Sequence, residues 1–188
     1  MNSSAAVLDL SNKSLATIHA AKLSLSAATT ELNLAFNAME SLDPILVGSC
    51  PSLCRLNVAH NRLSRLPELS ALRFLVRLDL SHNLLASLAG LAGCLSLEEL
   101  WVPHNRLDLA ALTELAASPG LPGLRTLVAC NNPADKVRPQ GLAAALLLHM
   151  LPGLDSIDAR KCGAGPERRQ KLALLSDQVR GRSLSSCC

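Results

Sequence analysis

One pattern recurs along most of the chain: Leu-x-x-Leu-x-Leu-x-x-Asn-x-Leu. It runs through Leu53, Leu56, Val58, Asn61 and Leu63, then Leu75, Leu78, Leu80, Asn83 and Leu85, then Leu97, Leu100, Val102, Asn105 and Leu107. A shorter copy precedes these at Leu32, Leu34, Asn37 and Met39, and another follows at Leu124, Leu127, Ala129 and Asn132. The first copy is degenerate. It keeps Leu8, Leu10 and Leu15 but has Ala5 for the first leucine and Lys13 where the asparagine belongs. A closing segment keeps Leu154 and Ile157. The second leucine position falls at residues 8, 32, 56, 78, 100, 127 and 157, with spacings of 24, 24, 22, 22, 27 and 30. Self-similarity at such a period constrains the fold more than any local signal.

The pattern has a direct physical reading. Each Leu-x-Leu segment is a short strand with its leucines inward and the intervening residues outward. One repeat cannot bury its leucines alone, but stacked neighbours share a continuous core. The asparagine ends each strand, turns inward and offers its amide to backbone groups that a tight bend would otherwise strand. The sequence therefore predicts an α/β solenoid. It is an arc with a parallel sheet on the concave face and short helices or irregular turns on the convex face, capped at both ends. The two longer spacings leave room for helices over Leu109–Ala117 and Gln140–Met150. Residues 1–162 are expected to form this domain, about six repeats with a C-terminal cap over 133–162.

Composition agrees. The chain is 49% hydrophobic but only 2% aromatic, with no tyrosine, so its apolar content is mostly leucine and alanine. No segment reaches the roughly 18 apolar residues that span a bilayer, and the first residues lack the charged and apolar regions of a signal peptide. The seven cysteines are irregularly spaced, which suits free thiols in a reducing compartment. The chain is accordingly expected inside the cell: cytoplasmic, cytoskeletal or axonemal, with the nucleus as the alternative.

The residues at this point resemble a known family. The 22-residue repeats resemble the short leucine-rich class found in a regulatory subunit of type-1 protein phosphatase, an axonemal dynein light chain and a leucine-rich spliceosomal protein. Asn132-Pro133, the apolar stretch after it and the run Leu151-Pro-Gly-Leu-Asp-Ser-Ile-Asp-Ala159 are similar to their shared C-terminal cap. The run from Leu97 to Asn105 is similar to the penultimate repeats of the phosphatase regulator and the dynein light chain. The resemblance covers about residues 5–160. It implies a non-catalytic adaptor or regulatory subunit whose partner is a phosphatase catalytic subunit, a dynein heavy chain or another cytoskeletal protein. The third relative implies a subunit of an RNA-protein complex, the one setting in which nucleic acid is expected. By resemblance, Glu99 and Trp101 match phosphatase-contacting positions. The aromatic of the following repeat is Val128 here, and the chain holds about half as many repeats as the phosphatase regulator.

The outward strand positions form two columns. Glu31, Arg55, Arg77, Glu99 and Thr126 lie in one, and Asn33, Asn57, Asp79, Trp101 and Val128 in the other. These residues are the candidate partner-binding surface, with a basic centre, acidic flanks and an apolar end. The case rests on Trp101, because a lone exposed Trp wastes apolar surface unless a partner covers it. A third column, Phe36, His60, His82 and His104, invites a metal, but no acidic or Cys ligand keeps its register. Cys130 falls near His104 without an oxyanion hole or third group, and Cys50-x3-Cys54 has no second pair. No metal, cofactor or catalytic residue is expected.

The tail, 163–188, is basic. Residues 159–188 hold 7 Lys/Arg and 2 Asp/Glu, against 11 and 13 in residues 1–158. Leu172, Leu175 and Val179 allow one amphipathic helix over 167–180. The final Cys187-Cys188 resembles a double prenylation signal, and membrane attachment is expected only if that pair is lipidated.

Overall fold

A computed structural model of the chain describes residues 6–17, 25–117, 121–136, 142–151, 153–158 and 160–161. The basic tail, its expected helix and the Cys187-Cys188 pair lie outside the described residues. Each repeat contributes one short strand: β1 (Ala6–Asp9), β2 (Thr29–Asn33), β3 (Arg55–Asn57), β4 (Arg77–Asp79), β5 (Glu99–Trp101), β6 (Thr126–Val128) and β7 (Ser156–Ile157). These strands lie side by side in chain order, all parallel, in one open sheet. A last strand, β8 (Arg160–Lys161), turns back antiparallel along β7. It covers the edge that β7 would present, as a very short edge strand can.

Strand register follows the leucine count. Leu32 pairs with Leu56, Leu56 with Leu78, Leu78 with Leu100, Leu100 with Leu127 and Leu127 with Ile157. The five leucines of this column are at most 2% exposed. Burying a leucine fully stabilises by about 1.5–3 kcal/mol, so packing between layers, not the few bonds of a three-residue strand, holds each strand in place. The first pairing is irregular: Ala6 faces Thr29 and Val7 faces Glu31, skipping Thr30.

The asparagines form a second, polar column inside the arc. Asn61, Asn83, Asn105 and Asn132 are all buried. Each amide nitrogen donates to a carbonyl of its own turn and to one in the preceding repeat, as Asn83 does to Leu80 and Val58 at 3.0 Å each. Each amide oxygen accepts a backbone N–H of the preceding repeat: Met39 on Asn61, Leu63 on Asn83, Leu85 on Asn105 and Leu107 on Asn132. Asn37 does the same for Lys13 and Leu15, which covers the turn where the first repeat has Lys13 in place of the column asparagine.

The convex side returns the chain through α1 (Pro44–Ser49), α2 (Leu109–Ala117), α3 (Leu142–Met150) and two 3-10 turns, Ala89–Leu91 and Pro133–Lys136. Pro44 opens α1, where a missing N–H costs nothing. Asp108 precedes α2 and accepts the Ala111 N–H at 2.8 Å, an N-cap bond. The two longest repeats thus hold the two longest helices among the described residues, which contact each other. The second helix is described from Leu142 onward; Gln140 and Gly141 lie outside the described residues. Gly90 marks a close approach between layers, since a Cβ there would strike the Pro67 carbonyl and lie 2.8 Å from the Leu66 Cβ.

Candidate functional site

The register sets the outward residues into the two expected columns across the sheet. Glu31, Asn33, Arg55, Asn57, Arg77, Asp79, Glu99 and Trp101 line one depression of about 280 Å³, with Leu32, Leu56 and Leu78 beneath. Thr126 and Val128 continue the columns on β6, past the residues that line it. Val7 also lines it and is 64% exposed. By spacing it heads the first column, although it was not among the candidate partner-binding residues.

The charges pair along the column. Arg55 Nη1 meets Glu31 Oε1 at 2.6 Å, and Arg77 Nη2 meets Glu99 Oε1 at 2.8 Å. The expected basic centre with acidic flanks is thus two ion pairs side by side. Both are solvent-exposed, where such pairs contribute at most about 1 kcal/mol.

The second column has a structural duty in most layers. Asp9, Asn33, Asn57 and Asp79 each accept the backbone N–H two residues on, from Ser11, Ala35, Ala59 and Ser81, at 2.9–3.1 Å. This side-chain turn fixes the bend out of the strand. The Ser11 N–H holds the Asp9 carboxyl below its ordinary value for the same reason. Trp101 cannot accept such a bond. Two residues on stands Pro103, which has no N–H to satisfy. Layer five has therefore dropped both halves of the turn bond, and Trp101 is left 44% exposed at the end of the depression. In the sixth layer Val128 also cannot accept; there Asp158 reaches across and takes the Ala129 and Cys130 N–H groups at 2.7 and 2.9 Å.

One turn beyond the strands, Phe36, His60, His82 and His104 form an exposed ladder of stacked rings. Successive centroids are 4.2, 4.1 and 4.1 Å apart, with interplanar angles of 9–13°. All four residues have left-handed backbone, φ between 53° and 56°, which aims the rings the same way in every layer. The sequence showed the spacing of these residues but not their stacking. Parallel rings set their nitrogens alongside one another rather than around one point. Among the described residues no group of three or more His, Cys, Asp or Glu is placed to hold a metal ion.

Asn131 separates Cys130 from His104. Its amide lies 3.1 Å from His104 Nε2 and 3.7 Å from Cys130 Sγ. Burial, with Asp158 and Asp135 adding to it, pushes the Cys130 thiol up. That is opposite to the depressed value an activated nucleophile needs. Burial raises the Cys50 thiol as well, and Cys54 is only half-buried.

Residues 27–85 match the family model described as leucine rich repeat. No curated protein matches the sequence. Among solved structures, an internalin (inlF) of Listeria monocytogenes is similar at 19% identity and TM-score 0.57, over 72% of this chain and 36% of that one. A chain of the TLR13-ssRNA13 complex is similar at 23% identity and TM-score 0.62, over 81% of this chain and 21% of that one. A chain of the Drosophila melanogaster SNF/U2A' complex is similar at 20% identity and TM-score 0.51, over 93% of this chain and 86% of that one. This chain thus spans about a third or less of the first two, and identities this low establish the fold alone. The leucine register, the buried asparagine column and the seven parallel strands give this chain the leucine-rich-repeat fold, in keeping with the family match over residues 27–85.

Proposed function

We propose that the chain is a non-catalytic adaptor or regulatory subunit that binds a partner protein on the concave face, with Trp101 as the anchor. One observation carries this reading. In the layer that presents Trp101, the turn bond made by the equivalent residues of β1 to β4 is gone from both sides, so the indole serves no visible structural end. A half-exposed Trp beside a depression is the kind of residue that dominates interface energies. Asn33, Asn57 and Asp79 support the same surface while holding their own turns. The ion-paired Arg55, Arg77, Glu31 and Glu99 set its polarity, and Thr126 and Val128 extend it.

The finer forms of this proposal are a phosphatase-regulator-like subunit and an axonemal or cytoskeletal light chain, both inside the cell, where the four free thiols among the described residues are stable. A second reading, an RNA-protein complex subunit in the nucleus, has one specific observation in its favour. The SNF/U2A' chain is matched over nearly its whole length, unlike the internalin and TLR13 chains.

Trp101 is the one tryptophan in the sequence, so its fluorescence reports on this face without labelling. Purification from native extract should bring down a phosphatase catalytic subunit, a dynein heavy chain or a small nuclear RNA, each selecting one form. With that partner in hand, Trp101 emission should shift on binding, and Trp101→Ala should weaken affinity by about 2 kcal/mol or more. Unchanged affinity in this variant refutes the site.

A further inference from the structure

The ring ladder is absorbed by neither the fold nor the concave site. The backbone turn it stands on is held by the asparagines beneath, and Asn12 and Asn131 hold the corresponding position in their layers with φ of 55° and 60° and no aromatic ring. The rings are therefore not required by the turn. We propose that His60, His82 and His104, with Phe36 as their apolar end plate, form a proton-linked docking edge for an acidic segment of a partner protein. This inference does not rest on the concave face being the docking surface.

The argument starts from spacing. Two imidazolium rings 4.1 Å apart repel each other even in water. Charge on all three histidines at once would set like charges in contact along the whole stack. His82, flanked on both sides, is the most constrained: its own partial burial lowers it first, then His60 and His104, while Asp79 on β4 acts in the opposite direction. At the far end the Asn131 amide nitrogen lies 3.1 Å from His104 Nε2. Exposed Arg62 and Arg106 follow two residues after His60 and His104. What the ladder lacks when charged is an anion running along its edge, since Asp79 is one carboxylate for three rings.

A peptide carboxylate supplies that anion. Same-face side chains of an extended chain recur roughly every 6.6–6.8 Å. His60 and His104 are separated by two steps of 4.1 Å, so two neighbouring same-face carboxylates can serve the three ring edges. Glutamates keep their charge at about pH 5.5, below the imidazole range but above their own value near 4.3. Acid and protons therefore bind together, and by reciprocity each strengthens the other.

The test uses the full chain and an oligo-glutamate peptide, titrated calorimetrically at about pH 7.5 and about pH 5.5. Affinity is expected to rise about tenfold or more at the lower pH, with proton uptake on binding. The triple variant His60→Asn, His82→Asn, His104→Asn keeps residues that the column already tolerates, and its pH dependence should vanish. Phe74→Ala, at an exposed position outside both the ladder and the concave depression, should behave as the parent does. Equal affinity at the two pH values, no binding at either, or pH dependence that survives the triple variant each overturns the proposal. Proton NMR gives an independent reading: His82 should titrate below the ordinary imidazole value, and His60→Phe, which keeps the stack, should raise it. A His82 titration that ignores this substitution overturns the coupling.

Discussion

Asn83 stands in the middle of the asparagine column and is 5% exposed, so Asn83→Ala measures what that column contributes. Its amide donates to the carbonyls of Val58, Leu80 and Ser81, and its oxygen accepts the Leu63 N–H at 2.9 Å. These four groups do not depend on it equally. The Val58 oxygen also receives the Asn61 amide, the Leu80 oxygen the Asn105 amide, and the Ser81 oxygen the His60 N–H. Among the described hydrogen bonds, the Leu63 N–H has Asn83 alone. Alanine therefore strands one buried donor, at about 1–3 kcal/mol, and halves the bonding of carbonyls that keep a second partner, for a total of about 3 kcal/mol. Against a typical folding stability of about 5–15 kcal/mol, that is a large fraction. Asn37→Ala is the control. Its oxygen serves Lys13 and Leu15 at the open end of the arc, where water can replace it, so about half the loss is expected. Urea unfolding followed by circular dichroism gives both values, with an unchanged dependence on denaturant. A loss below about 1 kcal/mol for Asn83→Ala, or equal losses at the two sites, refutes the reasoning.

Other expectations follow from single contacts. Gly90→Ala should cost about 1–3 kcal/mol in the same assay, because the added methyl meets the Pro67 carbonyl of the neighbouring layer. Glu99→Gln should cost less than about 1 kcal/mol, and the parent's small advantage should fade in high salt, because the bridge to Arg77 is exposed. Burial pushes the Cys94 thiol up to about 11 from 9.0. The folded chain keeps a proton that the unfolded chain loses, so stability should fall as pH rises from 9.0 toward about 11, and Cys94→Ala should flatten that decline. His82 works in the other direction. Its folded value lies below the ordinary 6.5, so the unfolded chain binds the proton first and stability drops as pH falls through that range. Thermal melts of His82→Asn should lack this component.

Much of the fold was legible because leucine spacing and strand register are the same count. Once Leu56, Leu78 and Leu100 are aligned, every outward column is fixed, and the α2 boundaries follow from the extra length of one repeat and from Asp108. What spacing could not show is where long side chains go. Arg77 was equally near Asp79 and Glu99 by column, and the choice fell to Glu99 because Asp79 is held by Ser81. Stacking of the ladder depends on a left-handed φ repeated in four layers; histidine is enriched in that region, but the enrichment does not fix where the rings point. Strand β8 was missed because two residues, Arg160 and Lys161, carry no periodic signal. Trp101 was singled out for being aromatic. The stronger reason, that Pro103 two residues later removes the donor, needed the hydrogen bonds of the other layers.

That pairing makes the sheet a rack with interchangeable sockets. Any layer can present a bulky residue at the second outward position, provided the residue two places later stops asking for an acceptor. Moving the indole to β3 should need Asn57→Trp together with Ala59→Pro, and moving it to β4 should need Asp79→Trp with Ser81→Pro. Either tryptophan alone leaves an amide in the bend unsatisfied. A lineage of such chains can therefore reposition its anchor along the arc by two-site exchanges, without altering a single leucine.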